Sequence, residues 1–311
     1  MFQLIALLCL FFCHLAHASS IPYPDFKQSI FLHGIDGRLD RYQRTYDALD
    51  PKYVELFENL YKRNIAEAEA EPFSQKQRIP KIIHQIWLGG QVPENCRPWM
   101  ETWANLHGWT YKLWTDEEVK TFPMHNRDLF NKTTSVGEKS DMLRLEILLK
   151  HGGVYVDTDL ECVRPEFLEE LHRKFDFYIS VEPLFHGIIQ EYKLFKFCNA
   201  IIGAAPQHTL IKDLIINLKA NYLAYEHQSI FQRTGPNYIT RIACQYELRG
   251  AHKQRNMYLP SSFFYPFTVC ETKNYINCPE KIMDLFPEAA GIHYWMGSWR
   301  LPKPLSEGKN L

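Results

Sequence analysis

The chain has almost no excess of charge of either sign: 35 Lys and Arg against 36 Asp and Glu among 311 residues leave a formal net charge of −1. That balance gives no support for nucleic acid or an anionic membrane surface as the main partner. None of the 8 cysteines falls in a C-x-x-C pair, which argues against a thiolate zinc site. No internal repeat is visible. Long hydrophobic runs are missing too. Residues 4–15 form an apolar run broken only by His14, too short to span a bilayer comfortably. No Lys or Arg precedes it, and Ala16-His17-Ala18 follows as a small-x-small cleavage pattern. Residues 1–18 therefore read as a signal peptide, or as a signal-anchor that leaves the chain tethered in a secretory lumen. Both readings put the mature chain in an exported compartment: secreted, periplasmic or a Golgi-like lumen. Any membrane association then runs through the N-terminus.

What is present fits a globular protein. Hydrophobic residues make up 46% and charged residues 23%, and the length allows one large core or two small ones. With 7 Trp and 17 Tyr the composition leans toward stacking on planar or sugar rings, although most aromatics serve the core. Cys9 and Cys13 fall in the signal segment. Of the other six, Cys270 and Cys278 flank a short polar loop and are the first candidates for a disulfide, with buried free thiols as the alternative. Asn131-Lys132-Thr133 is a glycosylation sequon, meaningful in a cell that glycosylates.

Residues 19–35, with Pro22 and Pro24, read as an extended, poorly ordered leader. A helical stripe follows over 38–71, marked by Tyr53, Phe57, Leu60, Tyr61 and Ile65 and stopped by Pro72. The segment 19–78 is thus a leader plus a helical appendage. Residues 82–88, short and rich in β-branched residues, suit a buried strand closed by Gly89-Gly90. Trp87 at its end sits where open α/β sheets bind ligands, or is a core tryptophan. Helices are expected over 98–107, from 116, over 165–172, over 207–222 and from 234. Strands are expected over 109–115, 176–181 and 199–205, and 257–267 is extended and aromatic. Alternating strands and helices indicate an α/β domain with a mixed, largely parallel sheet.

The stretch 140–160, S-D-M-L-R-L-E-I-L-L-K-H-G-G-V-Y-V-D-T-D-L, reads as a buried helix, a two-glycine stop and a strand ending on two carboxylates. Apolar residues fall nearly all round the helix, with Asp141 and Arg144 on one face. Gly152 or Gly153 supplies the left-handed residue that helix ends favour. The strand 154–160 then sets Tyr155, Asp157 and Asp159 on one face. Two adjacent carboxylates repel each other and resist desolvation, and a hard divalent cation with oxygen ligands gives them a reason to be there. The bland alternative is a pair of solvated turn residues. The helix, the glycines and the aromatic on the same face favour the metal.

Together, I-P-K-I-I-H-Q-I-W (79–87), W-x4-G-W-T-Y-K-L-W-T-D (103–116), S-D-M-L-R (140–144), G-G-V-Y-V-D-T-D (152–159), N-A-I-I-G-A-A-P (199–206), T-G-P (234–236) and H-Y-W-M-G-S-W (293–299) resemble glycosyltransferase family 32. These are the D-x-D sugar transferases that include the fungal Golgi α-1,6-mannosyltransferases and the inositol-phosphoceramide mannosyltransferases. A more distant likeness is to the large glucosylating cytotoxins. The match covers 79–300, leaving 301–311 as a tail. The resemblance implies a GT-A fold, a UDP- or GDP-sugar donor, Mn²⁺ or Mg²⁺, and retention of anomeric configuration. It implies that Trp87 stacks on the nucleotide base and that Asp141 and Arg144 hold ribose and donor sugar, with Tyr155 and Asn199 also on the donor side. Asp157 would contact ribose or sugar, Asp159 would ligate the metal with His293 or Ser298, and Trp299 would close over the leaving diphosphate. The acceptor, a glycan, a lipid or a protein side chain, cannot be read from these motifs.

Two other functions compete with this reading. One is a metal-dependent phosphohydrolase, since D-x-D also opens phosphatase sites. Here, though, the motif sits mid-chain after Gly-Gly and lacks a Thr two residues on. The other is a catalytically silent carbohydrate-binding protein, against which stands the presence of Asp141, Arg144, Asp157 and Asp159 together.

Overall fold

A computed structural model describes residues 21–30, 51–72, 74–189, 195–250, 252–276 and 278–297; segments 1–18 and 301–311, Ser298 and Trp299 lie outside the described residues. In chain order the principal elements are α1 (Phe26–Ile30), α2 (Pro51–Ala70), β1 (Ile82–Ile86), α3 (Arg97–Ala104), β2 (Thr110–Trp114), α4 (Val136–His151), β3 (Gly153–Val156), β4 (Leu160–Cys162), α5 (Pro165–Lys174), β5 (Phe177–Val181), β6 (Phe197–Ala204), α6 (Thr209–Ala224), α7 (Ile230–Arg233), α8 (Pro236–Arg249), β7 (Asn256–Leu259) and β8 (Gly291–His293). Six strands form one sheet in the order β2-β1-β3-β6-β5-β7. β1 runs parallel to β2 and β3, β5 runs parallel to β7, and β6 alone is reversed against both neighbours. The class is α/β, a mixed and mostly parallel sheet flanked by helices, as the alternation of elements indicates. The carboxyl ends of β1, β2, β3, β5 and β7 therefore share one edge, where such sheets bind ligands.

α4 lies against β1, β3 and β6, with α6 alongside it and α8 beyond. Leu143, Leu145, Ile147 and Leu148 are fully buried, each worth about 1.5–3 kcal/mol of transfer free energy. The helix stops at Gly152 (φ 64°), and Gly153 follows, also left-handed (φ 96°). A Cβ on Gly153 would stand 2.4 Å from the Ile82 carbonyl oxygen, so β1 and β3 pair closely there only because Gly153 lacks one, while a Cβ on Gly152 would meet Pro206 at 2.7 Å.

Three expectations change. The strand of 154–160 breaks at Val156: Leu160 N–H donates to the Asp157 carbonyl at 3.2 Å, and the turn so formed carries Asp157 and Asp159 before β4 begins. The described part of the leader is packed, with Phe26 and Ile30 fully buried, because residues 260–263 give it a polar and apolar dock. Ser29 Oγ meets Ser262 Oγ at 2.5 Å, and Tyr61 OH donates to the Pro24 carbonyl at 3.0 Å. Cys270 and Cys278 are separate thiols, because the loop between them folds as a helical turn (Thr272–Tyr275).

α2 covers the sheet's edge strand. Phe57 wedges between Phe195, Phe197 and Tyr258 at 5.4, 4.8 and 4.6 Å between ring centres. Asn64 Nδ2 donates to the Asn256 carbonyl of β7 at 2.6 Å, which occupies an acceptor an edge strand would otherwise expose. No helix among the described residues is long and apolar enough to cross a membrane.

Candidate metal and donor site

The site grows from the turn after β3. Its backbone is tied on three sides: Asp157 N–H donates to Ala200 O at 2.7 Å, Gln85 Nε2 donates to Asp157 O at 3.3 Å, and Trp103 Nε1 donates to Leu160 O at 2.7 Å. Gln85 is itself held by Tyr111 OH at 2.8 Å. These anchors come from β6, β1, α3 and β2, so the turn is set by the whole sheet edge.

His293 arrives from 134 residues further on. β8 pairs antiparallel with β4, Leu160 opposite His293, and Tyr294 N–H donates to the Asp159 carbonyl at 2.9 Å. That register brings His293 Nε2 to 3.1 Å from Asp159 Oδ1 and 4.0 Å from Asp157 Oδ2. Among the described residues these three form the one cluster with metal-ligand spacing, one donor atom from each lying within 4.8 Å of the others. His293 Nδ1 is buried with no hydrogen-bond partner, so the imidazole has a nitrogen to spare. Two carboxylates and an imidazole are a donor set that suits a divalent cation.

The electrostatics separate the two carboxyls. Burial pushes Asp157 up and Asp159 adds to it, so that Arg144 only partly offsets the rise. Asp159 is also buried, but His293 and the Met296 amide (2.8 Å to Oδ2) outweigh the desolvation and hold it below the usual carboxylate range. Burial works against a charged His293, yet Asp159 and Asp157 outweigh it and raise the imidazole. The cluster thus stores an anion at Asp159 beside a ring that favours its proton.

A second group lies behind Asp157. Arg144 Nη1 reaches Asp157 Oδ1 at 3.3 Å and the Asn199 carbonyl at 2.5 Å, and Nη2 reaches Asp141 Oδ1 at 3.1 Å and Ser140 Oγ at 3.1 Å. The guanidinium lies 4.3 Å over the Tyr155 ring, and Tyr155 OH donates to Asp157 Oδ1 at 2.5 Å. Asp141 also accepts from Asn199 Nδ2 and Thr234 Oγ1, each at 2.8 Å. Burial drives Asp141 up to about 6 despite Arg144. Burial also opposes the charge on Arg144, but Tyr155, Asp157 and Asp141 outweigh it.

The structure therefore brings Asp141, Arg144, Tyr155, Asn199, Asp157, Asp159 and His293 together. It turns Asp141, Arg144, Tyr155 and Asn199 onto one another, all buried, while Asp157 keeps 30% of its side chain exposed. Tyr155, expected on the donor side, gives its hydroxyl proton to Asp157 and so braces that carboxylate. Trp87 is half-buried at the end of β1, and its ring stacks on no other ring among the described residues. The β1–β3 register (His84 opposite Tyr155) carries Trp87 to the level of the Asp157 turn. Ser298 and Trp299 lie outside the described residues. Gln85, Tyr111, Thr234 and the Met296 amide went unassigned from sequence. All four stand inside the quoted motifs 79–87, 103–116, 234–236 and 293–299, and Thr234 reads equally as a helix start.

Residues 93–176 match the family model described as a glycosyltransferase sugar-binding region containing a DXD motif. The chain is 29% identical over 185 residues to inositol phosphoceramide mannosyltransferase 1 of Schizosaccharomyces pombe, covering 56% of this chain and 54% of that protein. It is 23% identical over 243 residues to the uncharacterized glycosyltransferase L373 of Acanthamoeba polyphaga mimivirus, covering 75% and 90%. Among solved structures it is similar to the PaToxG glycosyltransferase at 18% identity and a TM-score of 0.40, covering 63% of this chain and 78% of that one. The chain spans about half the length of the yeast mannosyltransferase it matches. The family model and the yeast mannosyltransferase bear out the resemblance to the D-x-D sugar transferases. The matched region holds Asp141, Arg144, Asp157 and Asp159, whereas Trp87, Asn199 and His293 fall outside it.

Proposed function

We propose that this chain is a metal-dependent, retaining glycosyltransferase that moves a hexose from a UDP- or GDP-sugar to a glycan, lipid or protein acceptor in a secretory-pathway lumen. The observation that carries the reading is the convergence of Asp157, Asp159 and His293 at the carboxyl edge of a mostly parallel sheet, inside and beside the matched DXD region. Asp159 and His293 hold Mn²⁺ or Mg²⁺, with Ser298 as a further ligand, and Asp157 faces the donor. When bound, the cation neutralises charge developing on the departing diphosphate, a need that dominates when the leaving group is an anion. Arg144 contributes a fixed positive charge behind Asp157, and Asp141 with Asn199 and Thr234 keeps that guanidinium from swinging away. Trp87 offers a ring face for the base, and Trp299 closes over the diphosphate.

The experiment is a panel of UDP- and GDP-sugars scored for hydrolysis and for thermal protection, with Mn²⁺ and with chelator. One donor turned over only with the cation is the expected result. Turnover of generic phosphate esters in its place would refute the assignment, and cation-dependent protection without turnover would mark a silent sugar-binding protein.

A further inference from the structure

Trp295 has a left-handed backbone, φ 55°, which residues carrying a Cβ rarely adopt. The turn it makes lets one aspartate collect two amides from the same short stretch. Tyr294 N–H donates to the Asp159 carbonyl at 2.9 Å and Met296 N–H to Asp159 Oδ2 at 2.8 Å. With Oδ2 held, Oδ1 is the oxygen left facing His293.

The Trp295 ring is fixed as well. It meets the His293 imidazole edge to face (4.3 Å, 82°) and the His186 imidazole likewise (4.4 Å, 84°), and its Nε1 donates to the Phe267 carbonyl at 3.0 Å. His186 is itself immobilised, donating through Nδ1 to Glu182 Oε1 and accepting through Nε2 from Val269 N–H, each at 2.8 Å. Glu182 is in turn paired with Lys196 at 3.2 Å, and all three side chains are buried. Trp295 thus touches two imidazoles, one braced by a buried ion pair and the other a candidate metal ligand. A tryptophan kept only to fill space would need neither the left-handed turn nor a braced imidazole behind it.

We infer that Trp295 is a positioning residue for the cation centre: its backbone delivers the Met296 amide to Asp159, and its ring, backed by His186, holds the His293 imidazole against the two carboxylates. This rests on the reading of Asp157, Asp159 and His293 as a divalent-cation site. The test is Mn²⁺ titration by calorimetry, without donor, on the full chain and on Trp295→Phe, Trp295→Asn and Trp295→Leu, each checked for cooperative unfolding. Asn accepts the left-handed backbone but brings no ring. Leu brings bulk but no flat face. Both should bind Mn²⁺ about 10–100-fold more weakly, the scale of losing a group that orients a ligand. Phe, keeping an aromatic ring against the imidazoles, should restore affinity to within about threefold of wild type. If wild type takes up no Mn²⁺, the cation reading itself falls and this inference with it. If wild type binds and a folded Asn or Leu variant binds as tightly, the inference alone is overturned. Failure of both variants to fold overturns it too, by showing that Trp295 is required for the core.

Discussion

His208 caps α6 with Nδ1, which accepts from Leu210 N–H at 3.3 Å, while Nε2 donates to Asn256 Oδ1 at 3.0 Å and the ring stacks on Phe177 at 5.2 Å. Only the neutral ring protonated on Nε2 serves both partners, and burial lowers it to about 4. The sign follows from its being a base with a depressed pKa. Below about 6.5 the unfolded chain takes up a proton that the folded chain refuses. Stability is therefore complete above that pH and is lost as the pH falls toward 4, where the loss levels off. From 6.5 to about 5 the loss is roughly 1.5 pH units at 1.36 kcal/mol each, or about 2 kcal/mol. His208→Asn keeps a good cap and cannot titrate. Urea unfolding of both proteins at about pH 7, 6 and 5, extrapolated linearly to water, should show wild type losing about 2 kcal/mol more than the variant. His84 and His172, lowered by burial to about 4 and 3 with one donor and one acceptor bond each, behave alike in both proteins and cancel in the difference. Parallel stability curves for wild type and variant would refute the reasoning.

Asp159→Ala should abolish cation-dependent donor turnover while the unfolding midpoint stays within reach of wild type; undiminished turnover would remove the site from consideration. Trp87→Ala should weaken donor binding by about 1–3 kcal/mol, the scale of a lost base–aromatic stack, and titration calorimetry giving an unchanged Kd would make Trp87 a packing residue. Arg144→Met leaves Asp141 and Asp157 without their buried cation and should cost about 3–5 kcal/mol in chemical denaturation. A cost below about 1 kcal/mol would mean the carboxyls are neutral or solvated without it. Gly153→Ala, at φ 96° and with its Cβ 2.4 Å from Ile82 O, should destabilise by at least about 1–3 kcal/mol, readable as a drop in Tm.

The unit around α4 and β3 was legible because its signals are local. Apolar residues all round a helix, two glycines and a short β-branched run each restrict a few neighbouring residues, and Gly152 and Gly153 both prove left-handed. The break at Val156 was not legible, since D-T-D continues the alternation of a strand. Only the bonds from Ala200, Gln85 and Trp103 make it a turn.

By itself the chain determined its α/β class, its family resemblance and the residue types that carry the chemistry, because periodicity and motif spacing are properties of adjacent residues. Tertiary structure decided which of those residues face outward and which lock one another in place. Arg144 and Asp141 are spent on each other, Tyr155 on Asp157, and His293 reaches Asp159 only through the pairing of β4 with β8. The reason is sequence distance: a contact across 134 residues leaves no imprint on either local pattern, and it exists only once the sheet edge has brought both ends to one place.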